Sequence, residues 1–170
     1  MDSVREGLYV VMGVSGSGKS LIGAALARAL GIEFVEGDEY HPPENVERMS
    51  RGIPLTDDDR EGWLRALAMR IREAKDTGTG LVMTCSALKR SYRDVLRAEA
   101  GELRFVFLRG PRALIAERLA GRRGHFMPAS LLDSQFATLE EPSPDEEAWV
   151  CDIRESPDDL VAALVARVSA

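Results

Sequence analysis

The sequence of 170 residues has few of the residues that build disulfide or metal frameworks. Its two cysteines, Cys85 and Cys151, lie far apart and form no C-x-x-C pair, so neither a disulfide framework nor a thiolate metal cage is expected. Two buried thiols in a reducing cytosol are the ordinary interpretation. Because the chain has only two histidines, His41 and His125, a histidine-rich metal site is not expected either.

Long apolar runs and an excess of positive charge are also missing. The first apolar run covers five residues, 8–12, which is too short for a signal peptide or a membrane span. The net charge is −6 and the pI is near 5.1, which disfavours a nucleic-acid partner because no basic stripe dominates. The length and ordinary composition suit one globular domain over residues 1–170. We therefore expect a cytoplasmic protein with a small-molecule partner.

What the chain does contain is a glycine-rich loop between a strand-like run and an alanine- and leucine-rich stretch. Residues 13–20 read GVSGSGKS and match the pattern G-x-x-x-x-G-K-[ST] at every fixed position. Glycines allow the backbone to wrap a phosphate with its N–H groups pointing inwards, and the following helix N-terminus adds a partial positive charge. The loop therefore predicts binding of a nucleoside triphosphate.

Each residue type in this loop has an expected role. Lys19 is expected to reach the β- and γ-phosphates and to act in catalysis, and the Ser20 hydroxyl is expected to bind Mg²⁺. The predicted nucleotide-binding residues of the loop are Gly13, Ser15, Gly16, Ser17, Gly18, Lys19, Ser20 and Leu21. The alternative is a glycine-rich turn with a chance lysine, which does not account for the strand before it and the helix after it.

Apolar runs of strand length alternate with helical patterns along the chain. The runs cover 8–12, 32–35, 81–85, 103–108 and 148–151, and helices are predicted over 21–30, after Thr56, over 88–100, from Pro111 and after Ser156-Pro157. This alternation predicts an α/β fold with a parallel sheet and helices on both faces. Two polar stretches, 37–55 and 121–128, interrupt the alternation near the place where ligands bind in open α/β sheets.

Two carboxylates follow the second predicted strand. Phosphate-loop proteins usually carry an aspartate for Mg²⁺ at the end of an apolar strand, but the run 81–85 ends in Cys85-Ser86 and supplies none. Glu36 is instead expected to hold Mg²⁺ through water, and Asp38 is expected to accept the proton of an attacking hydroxyl. The alternative is a solvated acidic turn.

Several short blocks, in the order of one family, extend this interpretation. They are G-D-E-Y-H-P from residue 37, P-L-T-D-D-D-R from residue 54, C-S-A-L-K from residue 85, R-G-H-F from residue 123 and Q-F-A-T-L-E-E-P from residue 135. Together they resemble the bacterial gluconate kinases over nearly the whole chain. One departure is at Glu36, where members of that family often carry aspartate. A longer carboxylate still suits a water-mediated contact with Mg²⁺.

The resemblance implies a fold, a reaction and an assembly. The implied fold is a three-layer P-loop kinase fold with a five-stranded parallel sheet, like that of adenylate and shikimate kinases. It would carry a substrate-binding segment over about 37–60 and a mobile lid over about 118–128. The implied reaction uses Mg-ATP and transfers its γ-phosphate to the 6-hydroxyl of D-gluconate, giving 6-phospho-D-gluconate and ADP. A homodimer is often found in this family.

Gluconate is a small anion rich in hydroxyl groups, so a site for it needs a cation and several polar partners. The candidate cations are Arg48, Arg51, Arg60, Lys89 and Arg93, and the candidate polar partners are Asp38, His41, Ser86 and, from the lid, His125. Each arginine has an alternative as an ordinary surface residue. Arg60 is the first choice because it lies inside the block P-L-T-D-D-D-R. At least one aspartate of that block is expected to serve the helix cap.

The lid supplies further candidate residues. Arg118 and Arg122 lie four residues apart on one predicted helical face and are expected to bind the nucleotide. Arg123 is expected to neutralise the charge that develops during phosphate transfer. By analogy with related kinases, residues 152–154 are expected to edge the adenine pocket, with Arg118 stacking from the other side. The alternative for this segment is a basic surface loop.

Other classes of protein remain as alternatives. One is a phosphate-loop kinase for another small hydroxylated acid such as shikimate, or for a nucleotide. A second is a GTP-binding switch protein, which needs an N-K-x-D motif, whereas the only asparagine, Asn45, is followed by Val46. A D-x-x-G match at 59–62 lies in a predicted helix rather than after a strand. A polynucleotide-binding NTPase conflicts with the acidic charge balance.

Overall fold

The structure, a computed structural model, describes residues 6–121 and 129–170. Within these ranges the strands are β1 (Leu8–Met12), β2 (Glu33–Glu36), β3 (Leu81–Thr84), β4 (Arg104–Arg109) and β5 (Trp149–Asp152). The α-helices are α1 (Lys19–Leu30), α2 (Pro43–Ser50), α3 (Asp57–Thr77), α4 (Arg90–Ala100), α5 (Arg112–Ala120), α6 (Ala129–Thr138) and α7 (Pro157–Ser169). Short 3₁₀ helices cover Gly37–Tyr40 and Pro144–Glu146.

The strands form one parallel sheet of five in the order β2-β3-β1-β4-β5. The chain places β2 and β3 on one side of β1 and then crosses to place β4 and β5 on the other side. The strand order therefore reverses at β1, and open α/β sheets bind ligands beside the carboxyl ends of their strands at such a point. The glycine-rich loop begins where β1 ends, so the fold places it there. The predicted five-stranded parallel sheet is confirmed.

Alternating side chains of the central strand divide the core into two layers. Val10 and Met12 of β1 belong to a buried cluster with side chains of α3 and α4, such as Leu67. Val11 belongs to a second cluster with side chains of α1 and α7, such as Leu26. Because successive residues of a strand point to opposite faces, both faces of β1 are buried. The predicted helices on both faces are therefore confirmed.

The predicted elements agree with the structure to within two residues at each end. β1 has the predicted bounds, and β2, β4 and β5 each begin and end one residue later than predicted. Thr56 begins α3 with the predicted cap, since its hydroxyl accepts from Asp59 N at 3.1 Å and Asp59 Oδ2 accepts from Thr56 N at 2.9 Å. Such a reciprocal pair satisfies two backbone donors at once, which explains why this signal is readable from sequence.

Two helices, α2 and α6, do not follow from the sequence patterns. The stretch 37–55 is expected to be a polar connection, but it contains α2. Of the eight residues of α2, all within the described part of the chain, only Asn45 is buried, so no apolar stripe signals a helix. In α6 the buried residues are the adjacent Leu131 and Leu132, which is again too little for a periodic pattern.

Both cysteines are buried and neither forms a disulfide, as predicted. Burial raises the pKa of the Cys85 thiol to about 12, so that thiol stays protonated and unreactive near neutral pH. Within residues 6–121 and 129–170, no helix combines the length and the apolar composition that a membrane crossing requires.

A buried ion pair ties the segment before β5 to α4. Arg93 is 0% exposed, and its Nε donates to Glu146 Oε1 at 2.7 Å while its Nη2 donates to Glu146 Oε2 at 3.0 Å. Arg93 Nη1 also donates to the carbonyl oxygen of Ala87, a residue with a φ of +46°, at 2.8 Å. Burial opposes ionisation of Glu146, but hydrogen bonds from Arg93 and Arg97 outweigh it and lower the pKa of Glu146 to about 2.

We expect Glu146→Gln to lower the free energy of unfolding by about 3 kcal/mol, because it leaves the Arg93 guanidinium buried without a counter-charge. Urea unfolding at pH 7 measures this change. The matched control is Glu61→Gln, which breaks an exposed pair with Arg65 at 2.6 Å and should change the midpoint little. Equal effects of the two substitutions would contradict this assignment.

The same pair predicts a dependence on pH. The folded-state pKa of Glu146 is about 2, below its ordinary value of 4.5, so the stabilisation is fully present above about pH 4.5 and is lost as the pH falls towards 2. The difference in stability between the wild type and Glu146→Gln should therefore shrink across this window. A difference that stays constant down to pH 2 would contradict the lowered pKa.

Candidate active site

The phosphate loop, residues 13–20, leaves the carboxyl end of β1 and enters α1. Gly18 caps α1 at a φ of +100°, a left-handed conformation that favours glycine. Lys19 Nζ donates to the carbonyl oxygens of Gly13 at 2.9 Å and Val14 at 3.0 Å. The structure thus lays the ammonium group of Lys19 against the loop that the sequence pattern assigns to the phosphates.

A glutamine from α6 holds the middle of the phosphate loop. Ser15 N donates to Gln135 Oε1 at 2.8 Å, and Gln135 Nε2 donates to Ser15 Oγ at 3.1 Å. One amide group therefore satisfies both the backbone and the side chain of a loop residue. Sequence reasoning gives Gln135 no role, and its place in the block Q-F-A-T-L-E-E-P is the only signal that could have found it.

The other predicted residues of the loop differ in exposure. Ser17 is 2% exposed, and its hydroxyl has no hydrogen-bond partner among the described residues. Gly16 packs so closely against α5 that a Cβ there would lie 2.6 Å from Leu119 Cγ. Ser20 and Leu21 are exposed in the first turn of α1. Since a buried hydroxyl is rarely left without a partner, Ser17 fits a loop that is completed by an acceptor from a ligand.

Two further predicted residues lie beside the loop. The carbonyl oxygen of Ser86, just beyond β3, accepts from Gly13 N at 3.2 Å, so Ser86 adjoins the start of the phosphate loop. Arg118 Nη2 donates to the carbonyl oxygen of Ile153 at 2.7 Å, which brings together two parts of the expected adenine pocket. Three predicted residues lie outside the described part of the chain, and these are Arg122, Arg123 and His125.

The carboxyl ends of β2 and β3 meet in a close backbone contact. Gly37 N donates to Thr84 Oγ1 at 3.1 Å, and Thr84 Oγ1 donates to Glu36 Oε2 at 3.1 Å. A Cβ on Gly37 would lie 1.9 Å from the carbonyl oxygen of Thr84, so only glycine fits there. The contact orients the Glu36 carboxylate beside the end of β3. The sequence of β3 itself supplies no acidic residue there, so Glu36 provides the carboxylate that this strand lacks. Thr84 is a contributor that sequence reasoning missed.

Trp63 of α3 holds the residues that follow this contact. Its Nε1 donates to the carbonyl oxygen of Gly37 at 2.8 Å, and its ring stacks on that of His41 with centroids 3.9 Å apart and an interplanar angle of 17°. His41 Nε2 lies 3.8 Å from Asp38 Oδ1. The Asp38 side chain is 72% exposed, whereas that of His41 is 4% exposed. Asp38 is therefore open to a ligand, and His41 supports it from behind.

The environment of His41 favours its neutral form. Burial lowers the pKa of His41, the Asp38 carboxylate opposes this effect, and the Arg60 guanidinium adds to it. The net shift is downwards from 6.5. At neutral pH His41 is therefore an uncharged ring that can donate at one nitrogen and accept at the other.

Most of the candidate substrate cations already contact a carboxylate. Arg48 Nη1 lies 2.9 Å from both carboxylate oxygens of Asp59. Arg51 Nη2 lies 3.4 Å from Glu47 Oε1, and Lys89 Nζ lies 3.0 Å from Asp57 Oδ1. These pairs are exposed or partly exposed, so a ligand can compete for the cations.

Arg60 is held differently. Its Nη1 donates to the carbonyl oxygen of Leu55 at 2.6 Å and to the Tyr92 hydroxyl at 3.2 Å, and its guanidinium lies over the Tyr92 ring at 5.4 Å. Within the described residues, no carboxylate lies within 4.0 Å of its guanidinium. Neutral partners therefore fix the position of Arg60 while leaving its charge available to an anion.

Arg93 requires a correction. It is a candidate substrate cation from the sequence, but its guanidinium is fully buried and is bound to Glu146 and the Ala87 carbonyl. A guanidinium in this position cannot reach a ligand without breaking a buried ion pair. We therefore assign Arg93 to the stability of the fold and not to substrate binding.

The donors near the loop suit a hard cation. The described residues hold no group of three or more histidine, cysteine or acidic side chains that would form a protein cage for a metal. Mg²⁺ does not need such a cage, because it usually keeps several waters and binds one or two carboxylates together with substrate phosphates. The hydroxyl of Ser20 and the carboxylate of Glu36 are oxygen donors of this kind.

Comparison with known proteins identifies the relatives of the chain. A family model described as an AAA domain matches residues 8–142. The gluconokinase of Gluconobacter oxydans (strain 621H) is 49% identical over 162 residues, which cover 95% of this chain and 91% of that protein. The thermoresistant gluconokinase of Escherichia coli (strain K12) is 43% identical over 159 residues, which cover 93% of this chain and 91% of that protein.

Two solved structures are similar over almost the whole chain. The gluconokinase from Sinorhizobium meliloti 1021 has a TM-score of 0.88 at 49% identity and covers 97% of this chain and 93% of its own. An unliganded sugar kinase from Janibacter sp. HTCC2649 has a TM-score of 0.90 at 51% identity and covers 94% of this chain and 92% of its own.

A more distant structure separates likeness of fold from membership of a family. The shikimate kinase from Bacteroides thetaiotaomicron covers 96% of this chain and 99% of its own with a TM-score of 0.67, but it is only 16% identical. That likeness shows the P-loop kinase fold alone. The much higher identity to gluconokinases over most of both chains shows more, and the chain belongs to the gluconokinase family.

Proposed function

We propose that this protein is a gluconate kinase, which transfers the γ-phosphate of ATP to the 6-hydroxyl of D-gluconate. The observation that carries the proposal is the exposed Asp38 after the carboxyl end of β2, at the same end of the parallel sheet as the phosphate loop after β1, with the Arg60 guanidinium close enough to His41 of the same turn to shift its pKa. Asp38 is exposed, and among residues 6–121 and 129–170 no carboxylate lies within 4.0 Å of the Arg60 guanidinium. A kinase for a hydroxylated acid needs a base for its hydroxyl and a cation for its carboxylate, and these two side chains provide them.

We assign the proton of the attacking hydroxyl to Asp38. A carboxylate oxygen of Asp38 accepts it as the oxygen of the substrate bonds to the γ-phosphorus and the bond from that phosphorus to the β,γ-bridging oxygen breaks. Lys19 stabilises the negative charge on the transferring group and on the leaving ADP. In phosphoryl transfer such positioning and charge stabilisation supply most of the catalysis.

We assign the substrate carboxylate to Arg60. A guanidinium can bind a carboxylate with two parallel hydrogen bonds, and Arg60 is already held in place by Leu55 and Tyr92. The hydroxyl groups of the substrate are left to the remaining polar candidates, which are Asp38, Arg48, Ser86, Lys89 and His125. The side chain of His41 is only 4% exposed, so we assign it to the support of Asp38.

For Mg²⁺ we propose the Ser20 hydroxyl and, through water, the Glu36 carboxylate. When bound, the ion would neutralise charge on the phosphates. The protein's part is to hold Glu36 at the end of β2, which the hydrogen bond from Thr84 does at 3.1 Å.

We place the adenine of ATP beside Arg118 and residues 152–154. In support, a cavity of about 740 Å³ adjoins the phosphate loop and is lined by Val14, Asp152 and Arg154, among others. Arg122 remains a prediction for binding the nucleotide, and Arg123 remains a prediction for neutralising the charge that develops during phosphate transfer. We also propose that residues 1–170 form one kinase domain and that the protein acts in the cytoplasm as a homodimer. Light scattering of the purified protein measures its oligomeric state.

The first test is a substrate panel in an assay that couples ADP release to a visible signal. Gluconate should be phosphorylated far better than glucose or sorbitol, which offer the same terminal hydroxyl without the carboxylate. A neutral substrate leaves the desolvated Arg60 guanidinium without a partner. This raises the free energy of its transition state by several kcal/mol, on the order of a hundredfold or more in kcat/KM. Equal use of sorbitol would contradict an acid-specific site, and preference for shikimate would favour the alternative kinase for another hydroxylated acid.

Arg60→Ala tests the assignment of the carboxylate. We expect kcat/KM for gluconate to fall by about a hundredfold while the low rate with sorbitol changes little, because only gluconate uses the guanidinium. Arg51→Ala is the matched control, since Arg51 is exposed and paired with Glu47. If Arg60→Ala lowers both rates equally, Arg60 supports the fold and the carboxylate is bound elsewhere, with Lys89 as the next candidate.

Asp38→Asn tests the base. The amide has the same shape but cannot accept the proton, so kcat should fall by about a hundredfold or more while the Kd for ATP changes little. Glu36→Gln is the paired variant, and it should instead raise the concentration of Mg²⁺ needed for half-maximal activity. Full activity of Asp38→Asn would remove Asp38 from the chemistry.

Gln135→Ala tests the support of the phosphate loop. Two hydrogen bonds to Ser15 are lost, so the affinity for an ATP analogue, measured by calorimetry, should fall by about tenfold. Asp133→Ala is the control on the same helix, because it removes only an exposed pair with Arg112 at 2.5 Å. If the two variants bind equally well, the contact between α6 and the loop does not contribute to nucleotide binding.

A further inference from the structure

The sole asparagine of the chain lies behind the proposed base. Asn45 belongs to α2 and is 3% exposed. Its Nδ2 donates to the backbone carbonyl oxygen of Asp59 at 2.8 Å and lies 3.3 Å from Nδ1 of His41. A buried amide with both contacts at hydrogen-bonding distance is committed to one orientation, because turning it over would bring two oxygens together.

These contacts determine where the proton of the His41 ring lies. A backbone carbonyl can only accept, so the Asn45 atom that faces Asp59 must be the nitrogen. The second hydrogen of that nitrogen points to His41 Nδ1, which must then accept through its lone pair. In a neutral ring the proton is therefore on Nε2, and Nε2 is the atom that lies 3.8 Å from Asp38 Oδ1.

We propose that Asn45 is a positioning residue that holds His41 as the neutral Nε2–H tautomer, so that His41 directs an N–H group at Asp38 and cannot accept its proton. This deepens the proposed function and rests on it, because it specifies how Asp38 works as the base. The proton that Asp38 takes from the substrate hydroxyl leaves to water rather than to histidine. The 72% exposure of the Asp38 side chain gives it that route.

The groups around His41 support a neutral ring. The Asp38 carboxylate, on the same 3₁₀ turn, raises the pKa of His41, whereas the Arg60 guanidinium of α3 lowers it and burial lowers it most. On the α2 side the ring contacts the neutral amide of Asn45, and on the α3 side it stacks on the indole of Trp63. Asn45 in turn binds the backbone carbonyl of Asp59. Near neutral pH His41 therefore carries no positive charge that would make Asp38 a weaker base.

The tautomer can be measured in the unmodified protein. Ring ¹⁵N shifts in a long-range ¹H–¹⁵N spectrum distinguish a protonated Nε2 from a protonated Nδ1, and His125→Gln assigns the signals of the two histidines. We expect the Nε2–H form of His41 at every pH above about 6.5. An Nδ1–H ring, or a fully protonated ring at pH 7, would overturn the proposal. This measurement involves no substrate, so its outcome is independent of the proposed reaction.

Asn45→Asp connects the tautomer to activity. It places a carboxylate opposite Nδ1, which then draws a proton, so His41 becomes a cation between two carboxylates and its pKa rises. Because that cation makes Asp38 a weaker base, we expect kcat to fall by about tenfold at pH 7 and to recover as the pH rises, with KM for ATP unchanged. Wild-type kcat should show no such step above about pH 6.5.

Val46→Asp is the matched control, since it adds the same charge one residue along α2 at a side chain that is 52% exposed, and it should keep the wild-type pH profile. A loss of kcat in Asn45→Asp that does not depend on pH would mean that Asn45 only supports the fold, and would overturn the positioning role. If no compound in the substrate panel is phosphorylated, the proposed function fails, while the spectrum still decides the tautomer.

Discussion

The close contact between Gly37 and Thr84 is the constraint on which the site depends. Only glycine allows the backbone after β2 to approach the carbonyl oxygen of Thr84 so closely, and the approach puts one carboxylate on each side of the glycine. Glu36 faces the end of β3 through the Thr84 hydroxyl, and Asp38 enters the 3₁₀ turn that leads away from the sheet. The indole of Trp63 then holds the Gly37 carbonyl, so that α3 fixes the same turn from the opposite side.

The arginines near this turn show how partners decide the role of a charge. Arg93 is satisfied by a buried carboxylate, which makes its guanidinium part of the fold. Arg60 lies on the neighbouring helix but is held by a carbonyl, a hydroxyl and an aromatic face. Neutral partners fix its position without cancelling its charge, which is the condition for binding an anion from solution. The sequence offers both arginines as candidate substrate cations, and only burial and partners distinguish them.

Sequence reasoning recovers the parts of this molecule that depend on local patterns. The strands, the phosphate loop and the Thr56 cap all follow from residue types a few positions apart. The structure places the strands within one residue of the predicted bounds and forms the predicted cap. It does not recover α2, Thr84, Gln135 or the role of Asn45, and it places Arg93 wrongly. Thr84, Gln135 and Arg93 each depend on a partner far away in the chain, such as the contact between Gln135 and Ser15, 120 residues apart. Asn45 has nearer partners, 4 and 14 positions away, but its helix α2, described over its whole length, buries no other residue and so shows no apolar stripe. Neither periodicity nor spacing carries that information, although Gln135 lies in one of the blocks that resemble gluconate kinases.

The phosphate loop is held from both sides of the central strand. On the β3 side, the Ser86 carbonyl accepts from Gly13 N at the start of the loop, and on the other side Gln135 of α6 binds Ser15. Ser86 follows the strand whose end carries Thr84, so the same strand end supports both the phosphate loop and the turn with Asp38. The end of β3 therefore fixes how the phosphate loop lies relative to the turn with Asp38. A shared strand end keeps the two segments in register although both are irregular in structure.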